Sequence, residues 1–129
     1  MIRRTRVRKQ SEKGKLVREC DKLVWELVKA RDKRCLRCAG MTALTPFHIL
    51  PKGTYPRLRH ELINVICVCW PCHRHHWHDN PVEGVEWLER VLPGRMGQLR
   101  VLAAVAPRVD LKILQIGLER EVEELRARA

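Results

Sequence analysis

CLRC at residues 35–38 and CWPC at residues 69–72 decide how the middle of this 129-residue chain folds. The two CxxC motifs have 30 residues between them. Each motif can place two thiolates on one side of a tetrahedral Zn²⁺, so the two motifs together complete a four-cysteine site. Because four protein ligands close the coordination sphere, the sequence predicts a structural zinc bound by Cys35, Cys38, Cys69 and Cys72.

A third cysteine close to the second motif competes for this role. Cys67 lies two residues before Cys69, and side chains two apart in a strand point to the same face. The CxxC spacing nevertheless favours Cys69 as the ligand, so we expect Cys67 to be a structural strand residue. A redox role for either CxxC would require a thioredoxin-like βαβ setting, which the sequence does not offer.

The segment between the two motifs is rich in loops and carries polar residues suited to chemistry. Proline and glycine punctuate it, and short apolar runs at residues 47–50 and 64–68 predict a hairpin of two strands. The loop between these strands contains Lys52, Arg57 and Arg59, which we interpret as phosphate contacts or as solvent-facing cations. Four histidines follow the second motif within six residues: His73, His75, His76 and His78. They either have a functional role or form an adventitious metal-binding tract.

Helical patterns flank this segment on both sides. Apolar residues recur with a period of 3.6 over residues 15–32, and three further helices are predicted after Pro81, after Met96 and after Asp110. The fold class is therefore α+β. We divide the chain into a basic disordered arm (residues 1–14), a zinc-stabilised core (residues 15–80) and a helical C-terminal extension (residues 81–129). The apolar stripe of the last helix predicts packing on the core or, alternatively, a homodimer.

The net charge of +11 is confined to the first part of the chain. Residues 1–80 hold 18 basic and 7 acidic side chains, whereas residues 81–129 hold 8 of each. Such an excess predicts a polyanionic partner, with an arm that either tracks phosphates or is simply solvated. The cations of the arm are Arg3, Arg4, Arg6, Arg8 and Lys9.

The apolar runs are too short to span a membrane and no signal peptide is evident, so we expect a cytoplasmic protein without a membrane partner.

The order ARDKRCLRC, FHILPKG, ELIN and CWPCH resembles the HNH, or ββα-metal, nuclease superfamily. The resemblance implies a zinc-knuckled hairpin and helix that together grip one divalent ion, Mg²⁺ or Mn²⁺. It implies that His48 is the general base, that Asn64 holds this histidine or its loop, and that His73 ligates the catalytic cation. His76 follows one helical turn later, so it could face the same ion.

A narrower resemblance is to the NinG, or Rap, family of phage recombination proteins. Residues at fixed offsets from His48 match the pattern of that family, and the helical tail resembles that family's tail; the matching residues are Gly53, Pro56, Leu58, Arg59 and Asn64. This resemblance implies a DNA endonuclease acting on branched recombination intermediates such as Holliday junctions or D-loops.

One position departs from the superfamily pattern. Many HNH proteins have Asp or His immediately before the base as a metal ligand, whereas this chain has Phe47. Since phenylalanine cannot ligate, the cation needs another partner, such as His76 or His78. The alternative function is a non-catalytic zinc-containing module for DNA binding or assembly, and a protein-interaction adaptor is a third interpretation.

Overall fold

The computed structural model describes residues 11–129, except for the side chains of His76 and Trp77, as a mixed α+β fold with a two-stranded sheet. Two short 3₁₀ turns, Pro56–Leu58 and Leu62–Asn64, lie between the strands. The elements are α1 (Glu12–Asp32), β1 (Leu44–His48), β2 (Val65–Cys69), α2 (Trp70–His73) with a π-helical turn (Arg74–His78), α3 (Pro81–Val91), α4 (Arg95–Val105) and α5 (Leu111–Arg128).

Helix α1 begins earlier than its apolar stripe predicts. The Ser11 side chain accepts a hydrogen bond of 3.0 Å from the Gly14 N–H and so satisfies a donor at the helix start. The helix therefore starts at Glu12 and not at residue 15, and the arm predicted at residues 1–14 is too long at its C-terminal end. Residues 1–10 lie outside the described part of the chain.

The two strands pair antiparallel, with Leu44 opposite Cys69 and His48 opposite Val65. The first strand was predicted at residues 47–50, but it starts at Leu44 and ends at His48. Ile49 and Leu50 are buried beyond its end, which explains why apolar character alone misplaced the strand. The second strand was predicted to begin at Asn64, which instead closes the 3₁₀ turn before β2.

The end of α1 is bonded to β2 through side chains. Arg31 donates from Nη1 to the Leu62 carbonyl at 2.8 Å and from Nη2 to the Val65 carbonyl at 2.7 Å. The Asp32 carboxylate accepts from the Cys67 N–H at 3.0 Å. These bonds fix the helix along the side of β2 that faces away from β1.

The sheet is packed between two layers of helices. On one face, Val65 and Cys67 pack against buried residues of α1 and α5, including Val24 and Leu118. On the other face, Ile66 and Val68 share a core with residues of α3 and α4; these are Trp87, Leu88 and Leu99. The alternation of side chains along β2 thus builds both cores.

Helix α5 packs against α1 of the same chain. Asp110 caps its start by accepting hydrogen bonds from the Lys112 and Ile113 N–H groups. Arg126 near its end pairs with Glu26 of α1 through two hydrogen bonds of 3.0 Å. The apolar stripe of the last helix therefore packs, at least in part, against α1 of the same chain.

Among residues 11–129, none of the helices is long and apolar enough to cross a membrane.

Candidate functional site

Four cysteine sulfurs form one compact cluster, as the CxxC motifs predict. The sulfurs of Cys35, Cys38, Cys69 and Cys72 all lie within 4.8 Å of one another, and those of Cys38 and Cys69 are 3.6 Å apart. With Zn–S bonds of about 2.3 Å, tetrahedral coordination requires sulfurs roughly 3.8 Å apart. The four cysteines can therefore hold a zinc ion.

The surroundings of these sulfurs suit thiolates held by a cation. Burial raises the pKa of the Cys35 thiol, but backbone N–H groups of Cys38, Cys69 and Arg37 donate to its sulfur, and the net effect lowers its pKa to about 7. For Cys72, burial and the neighbouring thiols raise the pKa. A divalent cation at the centre would offset this crowding of negative charge and favour four thiolates.

Cys67 lies away from this cluster. It is fully buried in the core between β2 and α1, together with Cys20 and Val28. Cys69, in contrast, belongs to the opposite core. The strict alternation that would have put Cys67 and Cys69 on one face ends at Cys69, where β2 passes directly into α2.

His48, the last residue of β1, has a defined tautomer. Its Nε2 lies 3.0 Å from the Arg59 carbonyl oxygen. Since a carbonyl only accepts hydrogen bonds, Nε2 carries the proton and Nδ1 has the free lone pair. Burial lowers the pKa of His48 below the ordinary value of 6.5. The imidazole is thus neutral at pH 7 and has one nitrogen able to accept a proton.

His73 on α2 is oriented by a chain of two hydrogen bonds. The Thr45 hydroxyl donates to the Val68 carbonyl at 2.8 Å, so its single proton is used. Thr45 Oγ1 must then accept from His73 Nδ1, which is 3.1 Å away. His73 Nε2 is therefore unprotonated and available to a metal ion, and burial keeps the ring neutral by lowering its pKa.

The π-helical turn after α2 brings a second histidine beside His73. The rings of His73 and His78 are stacked, and this arrangement depends on the wider i→i+5 turn. His76 was the predicted partner, on the assumption of a regular helical turn, but its side chain lies outside what the structure describes.

His48, His73 and His78 line one cavity of about 550 Å³. Lys52 and Gly53 of the inter-strand loop also line this cavity, and no carboxylate is among its described lining residues. Phe47 lines the cavity as well, with its ring edge-on to His73 at a centroid distance of 5.0 Å. At the position where many HNH proteins have a metal ligand, this chain therefore has the aromatic ring of Phe47 lining the cavity.

Asn64 fastens the loop that follows β1. Its Oδ1 accepts from the Leu50 N–H at 2.8 Å, and its Nδ2 donates to the Leu50 and Leu58 carbonyls at 3.1 Å each. The side chain is fully buried. Asn64 thus holds the loop whose Arg59 carbonyl orients His48, and its own side chain has no bond to the histidine among those formed by the described residues.

The predicted DNA-contacting cations occupy different environments. Arg59 donates to both carboxylate oxygens of Asp21, at 2.9 and 2.7 Å, so its charge is paired within the fold. Arg57 is exposed and donates to the Ala106 carbonyl at 3.1 Å. Lys52 is exposed at the cavity, whereas Arg3, Arg4, Arg6, Arg8 and Lys9 lie outside the described residues.

Sequence reasoning missed three contributors to the site. Thr45 orients His73, Asp21 holds Arg59, and the π-helical turn selects His78. The run of histidines had already named His78 as an alternative ligand, but Asp21 and Arg59 are 38 residues apart and share no local pattern.

Comparison of the chain with protein-family models, curated proteins and solved structures gives no match.

Proposed function

We propose that the chain is a metal-dependent DNA endonuclease of the ββα-metal type. The observation that carries this proposal is one cavity lined by His48, with Nδ1 free, and by His73, with Nε2 free. A neutral base beside a neutral imidazole ligand is the pair of groups that phosphodiester hydrolysis needs.

In this mechanism His48 accepts a proton at Nδ1 from the attacking water. Its Nε2–H bond to the Arg59 carbonyl holds the ring while the imidazolium forms, and Asn64 keeps that loop in place. His73 and His78 would hold the divalent cation, Mg²⁺ or Mn²⁺, with His76 as the ligand expected from the sequence. When bound, the cation would stabilise negative charge on the scissile phosphate and on the leaving oxygen.

The choice of substrate rests on two different supports. The excess of positive charge before residue 81 favours a nucleic-acid partner. The preference for branched DNA, such as Holliday junctions, comes only from the resemblance to NinG-like recombination proteins. A homodimer would suit two symmetric cuts in a junction, although α5 already packs on α1 within one chain.

A second candidate function is favoured by Phe47. Because the cavity has an aromatic ring in place of the pattern's ligand and no carboxylate in its described lining, a non-catalytic zinc module that binds or assembles on DNA is the alternative. Such a module would retain the zinc cluster and the basic surface but would not hydrolyse DNA.

The deciding experiment is incubation of the purified, zinc-loaded protein with labelled linear, nicked and four-way-junction DNA. Each substrate is tested with Mg²⁺, with Mn²⁺ and with EDTA. Cleavage that requires a cation supports the nuclease, and a preference for the junction supports the narrower substrate. Binding without cleavage under every condition favours the non-catalytic module.

A further inference from the structure

A second concavity, of about 420 Å³, lies beside the candidate active site. Three separate parts of the chain form it: the start of α1, the loop between the strands, and the segment that links α4 to α5. Its described lining includes no carboxylate, and its basic or titratable members are Lys13, Lys52, Arg57, Arg59, His60 and Arg108. We call this concavity the basic cleft.

Most of the positive charge of the basic cleft is uncompensated. Asp21 forms an ion pair with Arg59 and also accepts a hydrogen bond of 2.8 Å from His60. The other four cations form no ion pair with any carboxylate of residues 11–129, and residues 1–10 contain neither Asp nor Glu. Four positive charges without counterions in one concavity form a site for a polyanion. They are Lys13, Lys52, Arg57 and Arg108.

The basic cleft adjoins the candidate active site. Lys52 lines both the cleft and the cavity that contains His48 and His73. A smaller cavity of about 120 Å³ shares Lys52 and Arg59 with the cleft and His48 and Lys52 with the active-site cavity. Asp21, which pairs with Arg59, also lines this smaller cavity. An anion bound at His48 would therefore have the cleft as its neighbour, which suits a chain of linked phosphates.

A hydrogen bond connects two of the segments that form the basic cleft. Arg57 of the inter-strand loop donates to the Ala106 carbonyl at 3.1 Å and thereby ties this loop to the segment between α4 and α5. The same segment carries Arg108. The C-terminal helices, whose overall charge is balanced, thus contribute a cation to a basic surface formed mainly by the N-terminal part.

We propose that the basic cleft binds the phosphodiester backbone of DNA adjacent to the scissile bond, with Lys13 and Arg108 as phosphate contacts. The proposal rests on the proposed function, because it takes DNA as the ligand. It assigns substrate binding to the linker between α4 and α5, a region that neither the charge distribution nor the resemblance singled out.

The test compares the double variant Lys13→Gln/Arg108→Gln with the charge-matched control Arg100→Gln/Arg120→Gln. The control residues are exposed and line neither cavity. Binding of the zinc-loaded, full-length proteins to a fluorescein-labelled duplex is measured by anisotropy at several salt concentrations, without added divalent cation. Zinc content and thermal unfolding establish that all the proteins are folded.

The cleft variant should bind roughly tenfold or more weakly at 0.1 M salt, and its slope of log K against log[salt] should fall by about 2, since each phosphate contact contributes about 0.9. The control should keep the wild-type slope. Equal slopes for both variants would overturn the cleft and leave the nuclease standing. Loss of binding in the cleft variant, with no cleavage by the wild type under any condition, would support the cleft and overturn the nuclease. Competition by inorganic phosphate as strong as that by duplex DNA would point to a small anion and overturn the backbone assignment.

Discussion

The imidazole rings of His73 and His78 lie nearly parallel, with an interplanar angle of 8° and centroids 5.0 Å apart. In a regular α-helix a residue five positions further on would lie about 140° around the axis, so this pairing requires the π-helical turn. Two imidazoles without a carboxylate form a donor set of nitrogen only. Such donors favour later transition metals over Mg²⁺, which prefers oxygen ligands.

The first prediction concerns the affinity for the cation. The zinc-loaded protein should bind Mn²⁺ more tightly than Mg²⁺, and His78→Phe should weaken Mn²⁺ binding by about tenfold or more because one of two nitrogen ligands is lost. Isothermal titration measures both. His75→Phe is the control, since His75 lies in the same turn but is exposed and paired with Asp79. Equal affinities for Mn²⁺ in wild type and His78→Phe would exclude His78 as a ligand.

The second prediction concerns the general base. His48→Ala should slow cleavage by about 100- to 10,000-fold, while zinc content and DNA binding are retained. A base acts in its neutral form, and burial lowers the pKa of His48 below 6.5. The wild-type rate should therefore rise with pH through that lowered pKa and level off above it. His75→Ala should keep the wild-type rate, and full activity in His48→Ala would refute the assignment.

The third prediction concerns the zinc ligands. Metal analysis should find about one zinc per chain, and Cys69→Ser should reduce that content because a ligand of the four-sulfur cluster is lost. Cys67→Ser should retain zinc, although it disturbs the core between β2 and α1. The opposite result, with zinc lost in Cys67→Ser and kept in Cys69→Ser, would show that the cluster is wrongly assigned.

The fourth prediction concerns stability. Asn64→Ala leaves the Leu50 N–H and the Leu50 carbonyl without their partner in the protein interior, whereas the Leu58 carbonyl still accepts from the Glu61 N–H. The free energy of unfolding should fall by roughly 3 kcal/mol, because each buried unsatisfied group costs about 1–3 kcal/mol and water can satisfy some of them. Urea unfolding of the zinc-loaded protein measures the loss. Gln98→Ala, at an exposed position of α4, should change stability little.

The fifth prediction concerns the N-terminal arm. Deletion of residues 1–10 removes five cations but leaves Ser11 in place to cap α1. DNA binding should weaken and its dependence on salt should become shallower, since fewer counterions are released on binding. Anisotropy titrations at several salt concentrations check this. Unchanged affinity throughout would show that the arm does not contact DNA.

The sequence predicts the helices and the zinc cluster because their signals are local. Asp110 caps α5 through N–H groups two and three residues away, and each CxxC motif brings two thiolates together within one turn. The cap at Ser11, which starts α1 three residues before its apolar stripe, was not predicted. The strand boundaries were less accurate. Ile49 and Leu50 are buried by the loop that Asn64 holds, so their apolar character does not indicate a strand.

The finer geometry of the candidate site could not be predicted from local patterns. The tautomer of His48 depends on the Arg59 carbonyl, and Arg59 in turn depends on Asp21 of α1. The orientation of His73 depends on a threonine that is 28 residues earlier in the chain. These contacts exist only once the fold has brought distant segments together.

The bonds between the end of α1 and β2 also bear on self-association. A sheet of two strands has two open edges, each a template onto which a strand of another molecule can add. Arg31 and Asp32 already occupy the Val65 carbonyl and the Cys67 N–H on the outer side of β2. On the other strand, exposed Pro46 offers no N–H to an incoming chain. Side chains on one edge and a proline on the other, and not further strands, thus limit the pairing of another molecule with this small sheet.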